Sequence, residues 1–257
     1  MSNDDELWKS WMRLCVDPRT AGDLVEKAAY WESINTPNDY KIRLAVSKHG
    51  ATSGDLLAKL LMIKYLPIQI AVAGHNNLSE KTAIKILRTQ VRDLRRALAG
   101  NPKIPYYVME RLARDFDDVR MRLAKNPSIP LKLMSGFASE PDIHMRLALA
   151  SNPSLHFSIL ESLSKDKAVE VRLAIVKHPR IPIGGLCEMA RDKSNKVREA
   201  VFSRGMDDFA QEIELFHALS KGKSIVAQDA RARIEVLLEA QNEDPPPAPH
   251  PDSNPFD

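Results

Sequence analysis

A nine-residue phrase recurs along this chain, and the recurrence limits the folds open to it more than any other feature. The copies are IRLAVSKHG from Ile42, IQIAVAGHN from Ile68, LRRALAGNP from Leu94, VRMRLAKNP from Val119, MRLALASNP from Met145, VRLAIVKHP from Val171 and VREAVFSRG from Val197. Their starts are separated by 26, 26, 25, 26, 26 and 26 residues. A unit this short cannot bury an apolar stripe by itself, so successive units must stack into one continuous core.

The phrase reads as a short helix. Its first and fifth positions are apolar in every copy, and its fourth is Ala45, Ala71, Ala97, Ala148, Ala174 and Ala200, with Arg122 the exception. Apolar residues at one and five with a small residue at four form one stripe at helical spacing. The alanine column predicts close approach of neighbouring helices. The eighth position is His49, His75, Asn101, Asn126, Asn152 and His178, and proline follows four of them. Asn and His tolerate left-handed backbone, and the residue before proline avoids helical geometry, so the helix is predicted to stop there. Three residues later stand Ser53, Ser79, Pro105, Pro130, His156 and Pro182. Serine caps a helix start and proline suits a first turn, which predicts a second helix in each unit.

The ends read as caps. Trp8, Trp11 and Trp31 all precede the first phrase and, with Leu7, Leu14 and Val25, can cover the first repeat. After Gly205 two helices are expected, about 208–220 and 224–241. The organisation expected is therefore a helical cap over 1–39, repeats over 40–205, a second cap over 206–241 and a disordered acidic proline-rich tail over 242–257. The N-terminus lacks the basic and apolar regions of a secretory signal, no apolar run spans a bilayer, and Cys15 and Cys187 form no pair. Those features predict a cytoplasmic protein with no membrane partner.

Charge separates the middle from the ends. Residues 40–240 hold 33 Lys and Arg against 22 Asp and Glu, while 1–39 and 241–257 each carry four more acids than bases. A basic middle attracts acidic or phosphate-rich partners.

Three residue sets invite a chemical reading. His49, His75 and His178 sit in one column, but equivalent residues of stacked helices lie about 8–10 Å apart and cannot converge on one ion, so no metal is expected. The second position gives an arginine column, Arg43, Arg95, Arg120, Arg146, Arg172 and Arg198, with Gln69 interrupting it. These arginines are expected to form a structural ladder, each pairing with an acid just upstream: Asp115 with Arg120, Asp166 with Arg172, Asp192 with Arg198. A looser set near the turns, Lys48, Lys103, Lys125, Lys177 and Arg180, is the candidate partner-binding edge. No nucleophile–base pair, phosphate loop or HExxH stands in the sequence, so no catalytic residue and no cofactor is assigned.

The phrases VRxxLAxNPxIPxxxMxxLAxD and VRLAIVKHPRIPxxxLxxMAxD, from Val119 and Val171, resemble the leucine-rich repeat variant family and, more widely, HEAT-like repeats. The resemblance covers about residues 40–205. It implies an all-α, right-handed α-solenoid of about seven two-helix repeats, with one helix of each pair partly 3₁₀. Some members of that family carry a cysteine-rich iron–sulfur segment ahead of the repeats. This chain has no such cluster, and Cys15 alone cannot hold one.

The function expected is a non-enzymatic scaffold that binds a protein or peptide, an acidic one, on its concave surface. The alternative is a nucleic-acid-binding solenoid that uses the basic array, and a third reading is a HEAT-like repair-type enzyme. The segment Asn254-Pro255-Phe256 also fits a peptide ligand for another protein.

Overall fold

The computed structural model describes residues 3–29, 37–204, 208–221 and 224–243. Among these the backbone forms seventeen helices and no strand. The chain divides into two compact units, Met1–Ile159 and Leu160–Asp257, with the division falling inside the helix Phe157–Ser164.

In the first unit the repeated phrases form α3 (Pro37–Lys48), α5 (Leu66–Ala73), α7 (Arg92–Ala99), α9 (Asp117–Ala124) and α11 (Ile143–Ala150). These first helices pack in sequence, each on the one before, and α1 (Asn3–Val16) packs on α3 as though it were an earlier member. The second helices are α2 (Gly22–Ala29), α4 (Gly54–Leu60), α6 (Glu80–Leu87), α8 (Tyr106–Leu112) and α10 (Leu131–Ala138). Each packs against the first helix that follows it. The helix α12 (Phe157–Ser164) carries the chain across the division. The second unit contains α13 (Val169–Val176), α14 (Ile183–Met189), α15 (Asn195–Arg204), α16 (Phe209–Leu219) and α17 (Ile225–Glu243). There α13 packs on α15, α14 on α15 and α16, and α16 on α17. The two expected C-terminal helices are thus present, α17 running slightly past the predicted end.

The first and fifth positions of every phrase are at most 2% exposed, from Ile42 and Val46 to Val197 and Val201. Full burial of one such side chain stabilises the fold by about 1.5–3 kcal/mol. The alanine column behaves differently from its prediction. Ala148 is buried, but Ala45, Ala71, Ala97, Ala174 and Ala200 are half-exposed. The wholly buried small column is the sixth position: Ser47, Ala73, Ala99, Ala124 and Ala150. At about 100° per residue the buried arc runs through positions one, five, two and six, and position four falls on its edge.

The second helices start as their residues dictate, with one correction. Ser53 and Ser79 accept the Leu56 and Thr82 N–H at 3.3 Å. Pro105, Pro130 and Pro182 do not occupy the first turn; they stand one residue earlier, at the N-cap, in extended conformation. A proline there still has no N–H to leave unpaired. The 3₁₀ character implied by the family resemblance is confined to the ends of the second helices. The second helices are α-helical, and i→i−3 bonds appear at their ends, as from Met62 N–H to the Lys59 carbonyl at 3.1 Å. Of the predicted cap residues, Val25 is buried and Trp11 half-buried, whereas Leu14, expected to cover the first repeat, is exposed. Trp31, the side chains of Leu7 and Trp8, and the segment 244–257 with Asn254-Pro255-Phe256 lie outside the described residues.

Candidate functional site

The Asn/His column turns out to bridge repeats. In the first unit, His49 Nε2 lies 2.9 Å from the Asp17 carbonyl oxygen and His75 Nε2 2.9 Å from that of His49. Asn101 Nδ2 donates to the carbonyls of His75 at 2.9 Å and Ala73 at 3.0 Å. Asn126 Nδ2 reaches Asn101 at 2.9 Å and Ala99 at 2.8 Å, and Asn152 Nδ2 reaches Asn126 at 2.8 Å and Ala124 at 2.7 Å. The remaining acceptor of each side chain takes the backbone N–H two residues on, at 2.8–3.2 Å. Each Asn rung thereby satisfies a carbonyl that a helix C-terminus leaves unpaired, that of Ala73, Ala99 or Ala124, whereas the Asp17 and His49 carbonyls reached by the His rungs also accept the Thr20 and Thr52 N–H at 3.0 Å. The first helices stop just before the column, as the sequence predicts, and the bridging is a second role that the sequence did not announce. The residues just before it, Gly74, Gly100, Lys125 and Lys177, cap their helices with right-handed φ of −85°, −81°, −83° and −81°. In the second unit Arg204 fills the same place, donating to the carbonyls of Val176 and, at 3.2 Å, His178. Burial holds its pKa below the ordinary arginine value.

These bonds use both ring nitrogens of His49 and His75. Nδ1 accepts from the backbone, so Nε2 carries the proton, and neither ring keeps a lone pair for a metal.

The arginine column also lies between repeats, with partners other than those predicted. Arg172 forms a bidentate pair with Asp192, Nε to Oδ2 at 2.7 Å and Nη2 to Oδ1 at 2.9 Å. Arg95 Nη2 lies 2.5 Å from Asp115 Oδ2, an ion pair whose angles miss hydrogen-bond geometry, and Arg95 Nε is buried without an acceptor. Arg120 pairs with Glu140 and, at 3.2 Å, with Asp117. The acid therefore stands twenty residues downstream, in the next loop. From the upstream loop the arginines take backbone: Arg146 the Glu140 and Pro141 carbonyls at 2.8 Å, Arg172 the Asp166 carbonyl at 2.8 Å, Arg198 the Asp192 carbonyl at 2.6 Å. Of the predicted upstream acids, Asp166 and Asp192 give Arg172 and Arg198 their carbonyls and not their carboxylates, and Arg120 takes the Ala113 carbonyl at 3.2 Å in place of Asp115, because the loop turns its peptide oxygens toward the helix. Arg43 and Arg198 have Ile63 and Ala218 at the downstream spacing. Burial disfavours the Asp192 carboxylate, but bonds from Arg172 and the Ser194 N–H outweigh it and hold its pKa below the usual 3.8. The same hydrogen bond raises that of Arg172.

The basic set is exposed throughout: Lys48, Lys103 and Lys125 in the first unit, Lys177 and Arg180 in the second. Lys48 and Lys125 end α3 and α9, whereas Gly74 and Gly100 hold the equivalent places of α5 and α7. The array is therefore interrupted in the first unit. Lys103 follows its rung by two residues, and Arg180 its own, where their N–H groups bond Asn101 Oδ1 and His178 Nδ1.

The solvent side of the first helices carries features the sequence reading did not single out. The third phrase position is Leu44, Ile70, Arg96, Met121 and Leu147 in the first unit, and Ile70 is 36% exposed. Two clefts open here. One, of about 590 Å³, lies between α1 and α3 among Met12, Cys15, Val16, Leu44 and Ala45, with Lys41 and Lys48. Burial pushes the Cys15 thiol pKa up, away from a nucleophilic thiolate. The other, of about 370 Å³, is lined by Ile70, Gly74, Asp93, Arg96, Ala97 and Arg122. Arg122 was visible in the sequence as the break in the alanine column; Arg96 carried no such flag until the third position was seen to face solvent.

No family model matches the chain, and no curated protein matches it. Among solved structures it is similar to one described as a leucine-rich repeat variant with a novel repetitive protein structural motif, at 20% identity and a TM-score of 0.45, over 76% of this chain and 80% of that one.

Proposed function

We propose that the chain is a non-enzymatic repeat scaffold that binds a protein or peptide, an acidic one, along the outer face of its first helices. The observation that supports this is the third-position column. Each unit closes its core with positions one, five and six, yet Leu44, Ile70, Met121 and Leu147 remain at least partly open to solvent. These apolar side chains form a strip, interrupted at Arg96 between Ile70 and Met121, that a partner can cover. Exposed Lys48 and Lys125 flank that strip, which favours an acidic occupant. In the test, Ile70→Asp/Met121→Asp/Leu147→Asp and wild-type protein are used as bait in the same lysate. Partners retained by wild type and lost by a variant that melts normally support the reading. Equal capture by both would remove it. An oligonucleotide that binds with steep salt dependence would replace it with the nucleic-acid reading.

A further inference from the structure

Between the second and fourth repeats, several positions depart from the pattern at once. The third position, apolar in five of seven phrases, is Arg96. The fourth, alanine in six, is Arg122. The seventh, elsewhere Lys or Ser, is Gly74 and then Gly100. Three of these four line the 370 Å³ cleft, and the fourth holds one of its walls in place. A Cβ on Gly100 would stand 2.7 Å from Nη2 and 2.8 Å from Cζ of Arg122, so the absence of a side chain there is what lets the guanidinium lie across that turn. A Cβ on Gly74 would meet nothing nearer than the Ile70 carbonyl oxygen at 3.8 Å, so that end of the cleft stays open.

Arg96 and Arg122 are both exposed, and no described residue is hydrogen-bonded to or ion-paired with the side chain of either. Neighbouring arginines differ: Arg92 pairs with Asp118 at 2.7 Å, Arg95 with Asp115, and Arg120 with Glu140. Two arginines without a hydrogen-bonded or ion-paired side-chain partner thus share the lining of the cleft with Ile70, Ala97 and Asp93. Positions at which several local rules break together are where functional sites are expected.

The geometry points to a carboxylate-recognition pocket for an acidic peptide: one Asp or Glu side chain held by the forks of Arg96 and Arg122, its apolar neighbour lying against Ile70 and Ala97. Arginine forks match carboxylate geometry. Asp93 favours a peptide, whose N–H groups it can accept, over a run of phosphodiesters, whose successive anions it would repel. This inference rests on the peptide-scaffold reading above.

The test begins with selection from a random 12-residue phage-displayed library on the immobilised full chain. Each selected peptide is then titrated by fluorescence anisotropy against wild type, Arg96→Ala/Arg122→Ala, Arg96→Lys/Arg122→Lys, and Gly100→Ala, which displaces Arg122 while keeping every charge. Thermal melts confirm that each variant folds, and the lysine pair serves if the alanine pair does not. The expected result is enrichment of Asp or Glu beside an apolar residue, with binding about tenfold weaker in the double variants, as loss of charge-assisted bonds requires, and partly weakened in Gly100→Ala. Peptides that bind without acidic enrichment, or equally to the folded double variants, overturn the pocket and leave the scaffold reading standing. Failure to select any peptide also overturns the pocket, and the scaffold reading is then decided by the lysate capture alone.

Discussion

Asn126 donates its side-chain amide to the backbone carbonyl oxygen of Asn101, 2.9 Å away in the preceding repeat. The same nitrogen reaches the Ala99 carbonyl, and Asn126 Oδ1 takes the Ser128 N–H at 2.9 Å, while the residue is 1% exposed. Asn126→Ala therefore strands two carbonyls and one N–H inside the protein, at a cost of about 1–3 kcal/mol. Asn126→His should cost less, because His75 makes equivalent bonds at 2.9 Å and 3.0 Å. Urea melts of the two variants check this order, and an alanine variant as stable as wild type would show that the rungs contribute nothing.

Arg172 and Asp192 are 3% and 9% exposed at their side chains, so each neutralises a charge the other could not bury alone. Arg172→Ala should destabilise by about 3 kcal/mol at pH 7, the low end for breaking a buried pair. The pH dependence follows from Asp192, whose pKa in the fold lies below 3.8. A depressed carboxylate adds stability above its unfolded pKa and loses it as pH falls through the folded one. The gap between wild type and Arg172→Ala should thus be full at neutral pH, begin to shrink below about pH 5 and go on shrinking as pH falls below 3.8. A gap that does not change with pH would mean the carboxylate is not what Arg172 stabilises.

Helix content and core were legible because they are local. The apolar residues at positions one and five announced themselves by periodicity, and the break after the Asn/His column by residue type. What the column bonds was not legible: its acceptors are backbone oxygens about 26 residues away, and every residue type has one. The arginine partners were misassigned for a related reason. Asp166 is nearer to Arg172 in sequence than Asp192, yet it offers its peptide oxygen while Asp192 offers its carboxylate. The cleft at Arg96 escaped notice because a lone arginine on a basic chain carries no signal until the facing positions are known.

The two small columns should separate under overpacking. Ala99 is wholly buried in the sixth position, whereas Ala97 lines the open cleft. Ala99→Leu should cost about 1–3 kcal/mol and Ala97→Leu less than about 0.5 kcal/mol. Ala148, the one buried member of the fourth-position column, should behave like Ala99. Chemical denaturation of the three variants reads the difference. If Ala97→Leu proved as damaging as Ala99→Leu, the buried arc would have to be centred nearer position four.

Exposed cations and paired ones should fail in opposite ways. Lys125, Lys177 and Arg180 point into solvent at the ends of helices or just beyond a rung. Reversing all three to Glu should leave stability within about 0.5 kcal/mol per site, as for surface changes that touch no network. If an acidic partner meets the basic residues of either unit, reversing that unit's own members, Lys125 in the first or Lys177 and Arg180 in the second, slows association, because rim charges act on the encounter rate, and the loss should be largest at low salt. Arg172→Ala should instead lower stability while leaving the association rate of the folded fraction unchanged. Paired melting curves and stopped-flow association measurements, run on the partner captured by wild type, distinguish the two. Should Arg172→Ala melt normally yet lose its partner, the arginine column and not the lysine edge would be the surface that partner reads.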